Sequence, residues 1–233
     1  KDAGGNILWS WHIWVPETTV TDIDSGFAAS SKEIMDRNLG ALVVVPGGTT
    51  ESPVTSYGLY YQWGRKDPFP GAAKVAGTST TVASETTITV AASLSIPTEI
   101  VKGNDTIGWN SESNATLWDN TKTQYDPCPA GYKVPYYDKN YDMWVHDASA
   151  WTSNWTANAT YNWFKNNDNS ALFPIAGYMS QSTSVSYAGS RAVVWSAKDF
   201  STKRGYAIYL KDATYNYNGY YKYNAGSVRC VAE

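Results

Sequence analysis

The sequence predicts an α+β fold of short strands in small mixed sheets, with two short helices and many polar turns. Strand-length apolar pieces recur at 172–178, 192–196, 206–210 and 227–231, each bounded by turn residues. Helical spacing of apolar residues is confined to short stretches, and no repeat of about 20–50 residues is visible. The 233 residues include 11 Trp, 18 Tyr and 5 Phe, so much aromatic surface demands a core or a binding face and excludes disorder as the main state. We read residues 1–233 as one domain with a Thr/Ser/Ala-rich insertion at about 71–115.

The elements follow in order. Gly4, Gly5 and Asn6 make an opening turn, and residues 7–14 read as a strand with bulky side chains on both faces, ended by Pro16. A second apolar segment covers 33–45 before Pro46, Gly47 and Gly48 break it. Residues 57–66 place apolar side chains at helical spacing and stop before Asp67 and Pro68, which predicts a short helix. From 71 to 97 the aromatics vanish, and alternation at 86–90 suggests a surface hairpin or a loosely packed loop. Aromatic residues resume at Trp109 and Trp118, residues 126–132 form a rigid Pro/Gly turn, and aromatics continue from Tyr141 to Phe164.

Several chemistries are disfavoured. Two cysteines, Cys128 and Cys230, allow neither a CxxC motif nor a four-ligand zinc site, and His12 and His146 are the only histidines. Few charges and abundant Ser, Thr and Asn favour a disulfide in an oxidising compartment over two buried thiols. Closing so long a loop would add about 4–5 kcal/mol. A chain opening at Lys1 reads as a mature or excised fragment. A net charge of −3 offers nucleic acid no basic footprint, and no apolar run approaches the roughly 20 residues of a membrane helix.

No G-x-S-x-G, P-loop or H-E-x-x-H motif occurs. His12 lies among tryptophans and reads as a packed core histidine, while His146 beside Asp147 has no nucleophile nearby. A glycan-acting hydrolase would have to draw a carboxylate pair from Asp119, Asp138, Asp142, Asp147 and Asp168. Residues 118–120 and 166–169 could offer oxygens to calcium but read better as surface turns. Asn104, Asn114, Asn154 and Asn158 sit in N-x-[ST] sequons. No cofactor and no metal are expected.

The most unusual segment is 215–224, where Tyr215, Tyr217, Tyr220, Tyr221 and Tyr223 interleave with Asn216, Asn218, Gly219, Lys222 and Asn224. So many hydroxyls do not suit a core strand. Tyr with Asn and Gly is the composition of adaptable binding surfaces, the alternative being an exposed edge hairpin decorated with tyrosine. Tyr187, Trp151 and Trp155 are further candidates from other loops.

A series of motifs then carries a family resemblance: residues 36–41 (Asp-Arg-Asn-Leu-Gly-Ala), 57–65 (Tyr-Gly-Leu-Tyr-Tyr-Gln-Trp-Gly-Arg), 126–135 (Asp-Pro-Cys-Pro-Ala-Gly-Tyr-Lys-Val-Pro) and 227–231 (Ser-Val-Arg-Cys-Val). Together with residues 5–14, 172–178 and Trp195-Ser196, this series resembles the C-type-lectin-like domain at the ends of Bacteroides-type surface adhesins and fimbrillin-like pilus proteins. The resemblance implies a C-type-lectin-like fold with two helices, termini close together and Cys128 paired with Cys230. It implies that the motif residues are mostly scaffold. After Pro135 this chain departs from the family's charged helix into Tyr136, Tyr137, Asp138, Lys139, Asn140 and Tyr141.

What the resemblance implies for function is a non-enzymatic adhesin module on a bacterial cell surface or pilus, binding a glycan or a surface protein through the Tyr/Asn-rich C-terminal surface. Related domains are variable proteins of diversity-generating retroelements, whose codon changes produce such Tyr/Asn mixtures. Formylglycine-generating enzymes are also similar in fold, but their reactive cysteine pair would leave no structural bridge here. The Glu-Pro-Asn and Trp-Asn-Asp motifs of calcium-dependent lectins are absent, so metal-dependent sugar binding is not carried over. A glycan-acting hydrolase and a purely structural pilus subunit, touching neighbouring subunits, are the rival expectations.

Overall fold

Glycine-interrupted runs of aromatic and β-branched residues favour short strands over helices in this chain. The computed structural model describes residues 1–24, 32–44, 54–70, 81–112, 116–137, 151–153, 163–166, 171–181 and 184–233. In chain order its elements begin β1 (Asp22–Asp24), β2 (Glu33–Met35), α1 (Val54–Tyr57), β3 (Tyr61–Gln62), β4 (Thr81–Val82), α2 (Val90–Ser95), β5 (Glu99–Ile100) and β6 (Tyr132–Lys133). They continue β7 (Trp151–Ser153), β8 (Trp163–Asn166), β9 (Leu172–Pro174), β10 (Tyr178–Met179) and β11 (Val185–Ser186). The C-terminal part holds β12 (Arg191–Ser201), β13 (Arg204–Lys211), β14 (Thr214–Tyr221), β15 (Ala225–Gly226) and β16 (Val231–Ala232).

The strands form small sheets in the orders β1-β2-β16-β6, β11-β10-β15-β3, β12-β13-β14 and β7-β8-β9, with β4 beside β5. The β4–β5 pair is parallel, and the pairings in the other four sheets are antiparallel. Strand β16 lies between β2 and β6, so early and late segments share one sheet. The Cys128–Cys230 disulfide fastens the turn before β6 to the approach of β16. That turn is shaped by the buried Asp126 carboxylate, which accepts the Cys128 and Val134 amides at 2.8 Å each and the Lys122 amine at 3.1 Å. Burial raises the Asp126 pKa against the opposing pull of Lys122 and these amides. Among the described residues no helix is long and apolar enough to cross a membrane.

Three buried tryptophans link the core. Trp63 donates its indole N–H to the Ser196 carbonyl, Trp109 to that of Trp63 and Trp195 to that of Tyr61, each at 2.8 Å. Gln62 is a second junction: its amide N–H groups reach the Val101 and Tyr223 carbonyls at 2.7 Å, and its oxygen accepts Val101 N–H and Arg65. Three arginines are structural. Arg37 grips Asp36 and the Thr18, Thr19 and Leu42 carbonyls, and Arg65 holds the Glu99, Ser93 and Ile96 carbonyls. Arg229 donates to Asn38 Oδ1 and to the Met35 and Leu172 carbonyls.

Several expectations are corrected. Residues 7–14 join no strand. Instead Trp14 donates to the Ala41 carbonyl at 3.0 Å, while Trp9 carries the Lys66 amine 4.4 Å from its ring centre. The helix expected over 57–66 is not formed: α1 ends at Tyr57, and 61–62 are a strand. Gly58 and Gly64 have φ of 77° and 86°, outside helical geometry, and a Cβ on Gly58 would stand 2.6 Å from the Leu39 carbonyl oxygen. Conversely, helix α2 stands where a hairpin or loop was expected. Thr89 caps it through Ala92 N–H at 3.1 Å, Glu112 accepts Val90 N–H at 2.7 Å, and Ile88 forms a β-bridge with Asn110.

Candidate functional site

Register places the tyrosines. Strands β13 and β14 meet at Asp212-Ala213, whose φ values of 48° and 61° give the two-residue turn that suits the twist of a hairpin. The turn pairs Tyr209 with Asn216, Ala207 with Asn218 and Gly205 with Tyr220 on one face; Leu210 with Tyr215 and Ile208 with Tyr217 are on the other. Strand β14 ends the order β12-β13-β14, so its outer edge has no partner strand among the described residues.

The run 215–223 therefore splits. Tyr215 and Tyr217 pack, half-buried, on the cluster of Ala192, Val194, Ile208 and Leu210. Tyr217 lies 5.6 Å from Tyr137, which stacks on Tyr206 at 4.6 Å. Tyr220 points to the opposite face and meets Tyr209 at 4.9 Å and Tyr178 at 6.5 Å. Tyr221 stacks on Tyr223 at 4.8 Å. Tyr223 itself is only 7% exposed and donates to Asp105 at 2.8 Å. Burial and the Asp105 contact push its phenol up to about 12.

On the Tyr220 face the rings gather about one cation. Tyr178 stacks on Tyr187 at 5.5 Å, and the Arg191 guanidinium lies 4.2 Å from the Tyr187 ring centre while hydrogen-bonding Tyr178. Tyr187 is 46% exposed and has a φ of 64°, a left-handed conformation that is an outlier for a bulky residue. Its carbonyl accepts Ser190 N–H, Arg191 N–H and Ser190 Oγ at 2.9, 2.8 and 3.0 Å, which pins it there. Burial and the neighbouring tyrosines raise the Tyr178 and Tyr220 pKa values, so both stay neutral phenols able to donate and accept.

Beside this cluster is an open groove of about 410 Å³ lined by Tyr178, Ser180, Arg204, Asn218, Gly219, Tyr220, Tyr221, Tyr223 and Asn224. Asn224 is 6% exposed, and among the described residues neither its Oδ1 nor the buried Arg204 Nε has a hydrogen-bond partner. Such atoms carry a desolvation cost that a bound group would offset. A second cavity, of about 310 Å³, lies by Trp63, Asp199, Phe200 and Lys222. Its one cation among the described residues is already engaged, because Lys222 pairs with Asp199 and sits 4.1 Å from the Trp63 ring centre.

Of the residues expected at the site, the structure brings Tyr187, Tyr220, Asn216 and Asn218 to one face, and Tyr221, Tyr223 and Asn224 to the groove wall. Tyr215 and Tyr217 face the other way. Trp151 begins β7, whereas Trp155, His146, Asp138, Asp142, Asp147 and Asp168 lie outside the described residues. Asp119 is exposed, and both oxygens of Asn120 accept the Lys133 amine, at 2.7 and 2.9 Å, so 118–120 is a tied turn. His12 is half-buried, which lowers its pKa. Among the described residues no three His, Cys, Asp or Glu side chains gather as a metal-ligand set. Sequence reasoning did not reach Tyr178, Arg191, Arg204 or Tyr209, because cross-strand register assembles them. No known protein family, curated protein or solved structure matches the chain.

Proposed function

We propose that this chain is a non-enzymatic recognition module of C-type-lectin-like fold, the ligand-binding end of a bacterial surface adhesin or pilus. Its ligand, a glycan or a surface protein, docks on the face of Tyr178, Tyr187, Tyr209 and Tyr220 and in the adjoining groove. The observation that carries this reading is Tyr187, a large ring held half in solvent by a left-handed backbone. Strain of this kind persists where the surroundings over-determine it, and it concentrates at ligand clamps. Tyr rings give rigid contact area at low entropy cost, and the exposed amides of Asn216 and Asn218 supply adaptable hydrogen bonds. Because those two amides face solvent, exchanges there leave the core intact, which supports a diversified surface. The buried disulfide suits an exported protein, and the placement of β16 between β2 and β6 supports a lectin-like closure.

An array of glycans combined with a screen of host and bacterial surface proteins tests this reading. Tyr187→Ala should weaken the ligand so found by about 2 kcal/mol or more, the scale of a hot spot, with an unchanged melting temperature. Equal affinity for Tyr187→Ala, or turnover of any glycan, would refute it.

A further inference from the structure

The chain has five arginines, and Arg37, Arg65 and Arg229 are engaged inside the fold. Arg191 and Arg204 are different. Like Arg65 they pair with no carboxylate among the described residues, but they are only partly buried, and each lies over a tyrosine ring, Arg191 on Tyr187 at 4.2 Å and Arg204 on Tyr221 at 4.6 Å. Both adjoin Tyr178 and Tyr220: Arg191 through its Tyr178 hydrogen bond, Arg204 as a fellow wall of the groove. Two guanidiniums without counter-ions among the described residues, Arg191 in the aromatic cluster and Arg204 in the wall of the adjoining groove, are a local invitation to an anion.

We infer that the ligand of this face is an acidic glycan, whose carboxylate or sulfate groups pair with Arg191 and Arg204 while its pyranose rings lie on Tyr187 and Tyr220. The inference rests on the reading of this face as a ligand site and specifies its chemistry. Guanidinium offers forked donors that match carboxylate and sulfate oxygens. The groove adds a demand for both hydrogen-bonding senses, since the buried Asn224 Oδ1 needs a donor and Arg204 Nε an acceptor. A sugar hydroxyl supplies both. Flat phenol rings match the C–H faces of a pyranose, and Ser180 and Asn218 make the rim polar rather than a socket for apolar side chains.

Calorimetric titration tests this with four probes: trigalacturonate, its full methyl ester, a sulfated heparin-type disaccharide and a hexaglutamate peptide. Trigalacturonate or the sulfated disaccharide should bind about ten-fold or more tighter than the neutral ester, as a charge-assisted hydrogen bond allows. Which of the two acids binds identifies the source of the anion. The double variant R191Q/R204Q should bring the acid's affinity down to that of the ester. R191Q alone, at a half-exposed position, should remove part of the difference at an unchanged melting temperature, should the double variant not fold. Equal binding of acid and ester, an undiminished preference in R191Q, or a hexaglutamate peptide binding as tightly as the sugars would overturn the inference. Binding of neutral and acidic glycans alike would leave the recognition reading standing; binding of no glycan would sink the inference, and a failed protein screen would sink that reading as well.

Discussion

Replacing both bridge cysteines, C128A/C230A, should remove a large share of the stability. The two residues are 102 positions apart, and in the chain-entropy view a loop of about a hundred residues is worth about 4.7 kcal/mol. The folded geometry does not depend on the bond alone. Strand β16 stays hydrogen-bonded to β2 and β6, and Asp126 still shapes the turn through the Cys128 and Val134 amides. The loss is therefore felt chiefly by the unfolded chain, which gains freedom. Set against a typical domain stability of about 5–15 kcal/mol, it leaves a folded but weakened protein. Urea unfolding followed by tryptophan fluorescence reads the effect. With a slope of about 2 kcal/mol/M the midpoint should fall by about 2 M. A fall under about 0.5 M would show that the bridge restrains little in the unfolded chain and refute the reasoning.

Two further outcomes are expected. Arg229→Met strands Asn38 Oδ1 and the Met35 and Leu172 carbonyls, so urea unfolding should show a loss of about 3–5 kcal/mol. For Asp36, burial raises the carboxyl pKa, but hydrogen bonds from Arg37 and Thr21 outweigh it and hold the group below the ordinary 3.8. Its contribution is then complete above that ordinary value and lost as pH falls through the lower folded one, so the stability gap between the protein and Asp36→Asn, measured near pH 7 and near pH 3, should narrow in acid.

Much of the scaffold was legible in the chain. Regularly punctuated apolar pieces gave β12 and β13 their places, and the two cysteines had only each other. The tyrosine run reads from its composition as a binding surface, with an edge hairpin as the alternative; the structure places 214–221 in β14 at the end of its sheet. Residues 57–66 were not legible: Tyr57, Tyr60 and Tyr61 fall at helical spacing, yet left-handed Gly58 and Gly64 and the burial of Tyr60, Tyr61 and Trp63 make a strand-like passage. Periodicity records where apolar residues recur, not which φ a glycine adopts. The site was only half legible for a similar reason. Tyr209 sits in a strand that reads as core, and nothing local distinguishes Arg191 and Arg204 from Arg229. Only the pairing of β12, β13 and β14 decides which guanidiniums meet carbonyls inside the fold and which are left among rings at the surface.

Hydrogen–deuterium exchange with and without a saturating ligand tests the central claim most directly, because it locates contact without altering the protein. Binding at the Tyr187 face should slow exchange in peptides covering 178–191 and 204–224, while 33–42, on the disulfide-closed sheet and its flanking loop, stays unchanged. Protection concentrated instead at 107–112 and 199–202, beside the Trp63 cavity, would contradict the account and move the site to that cavity.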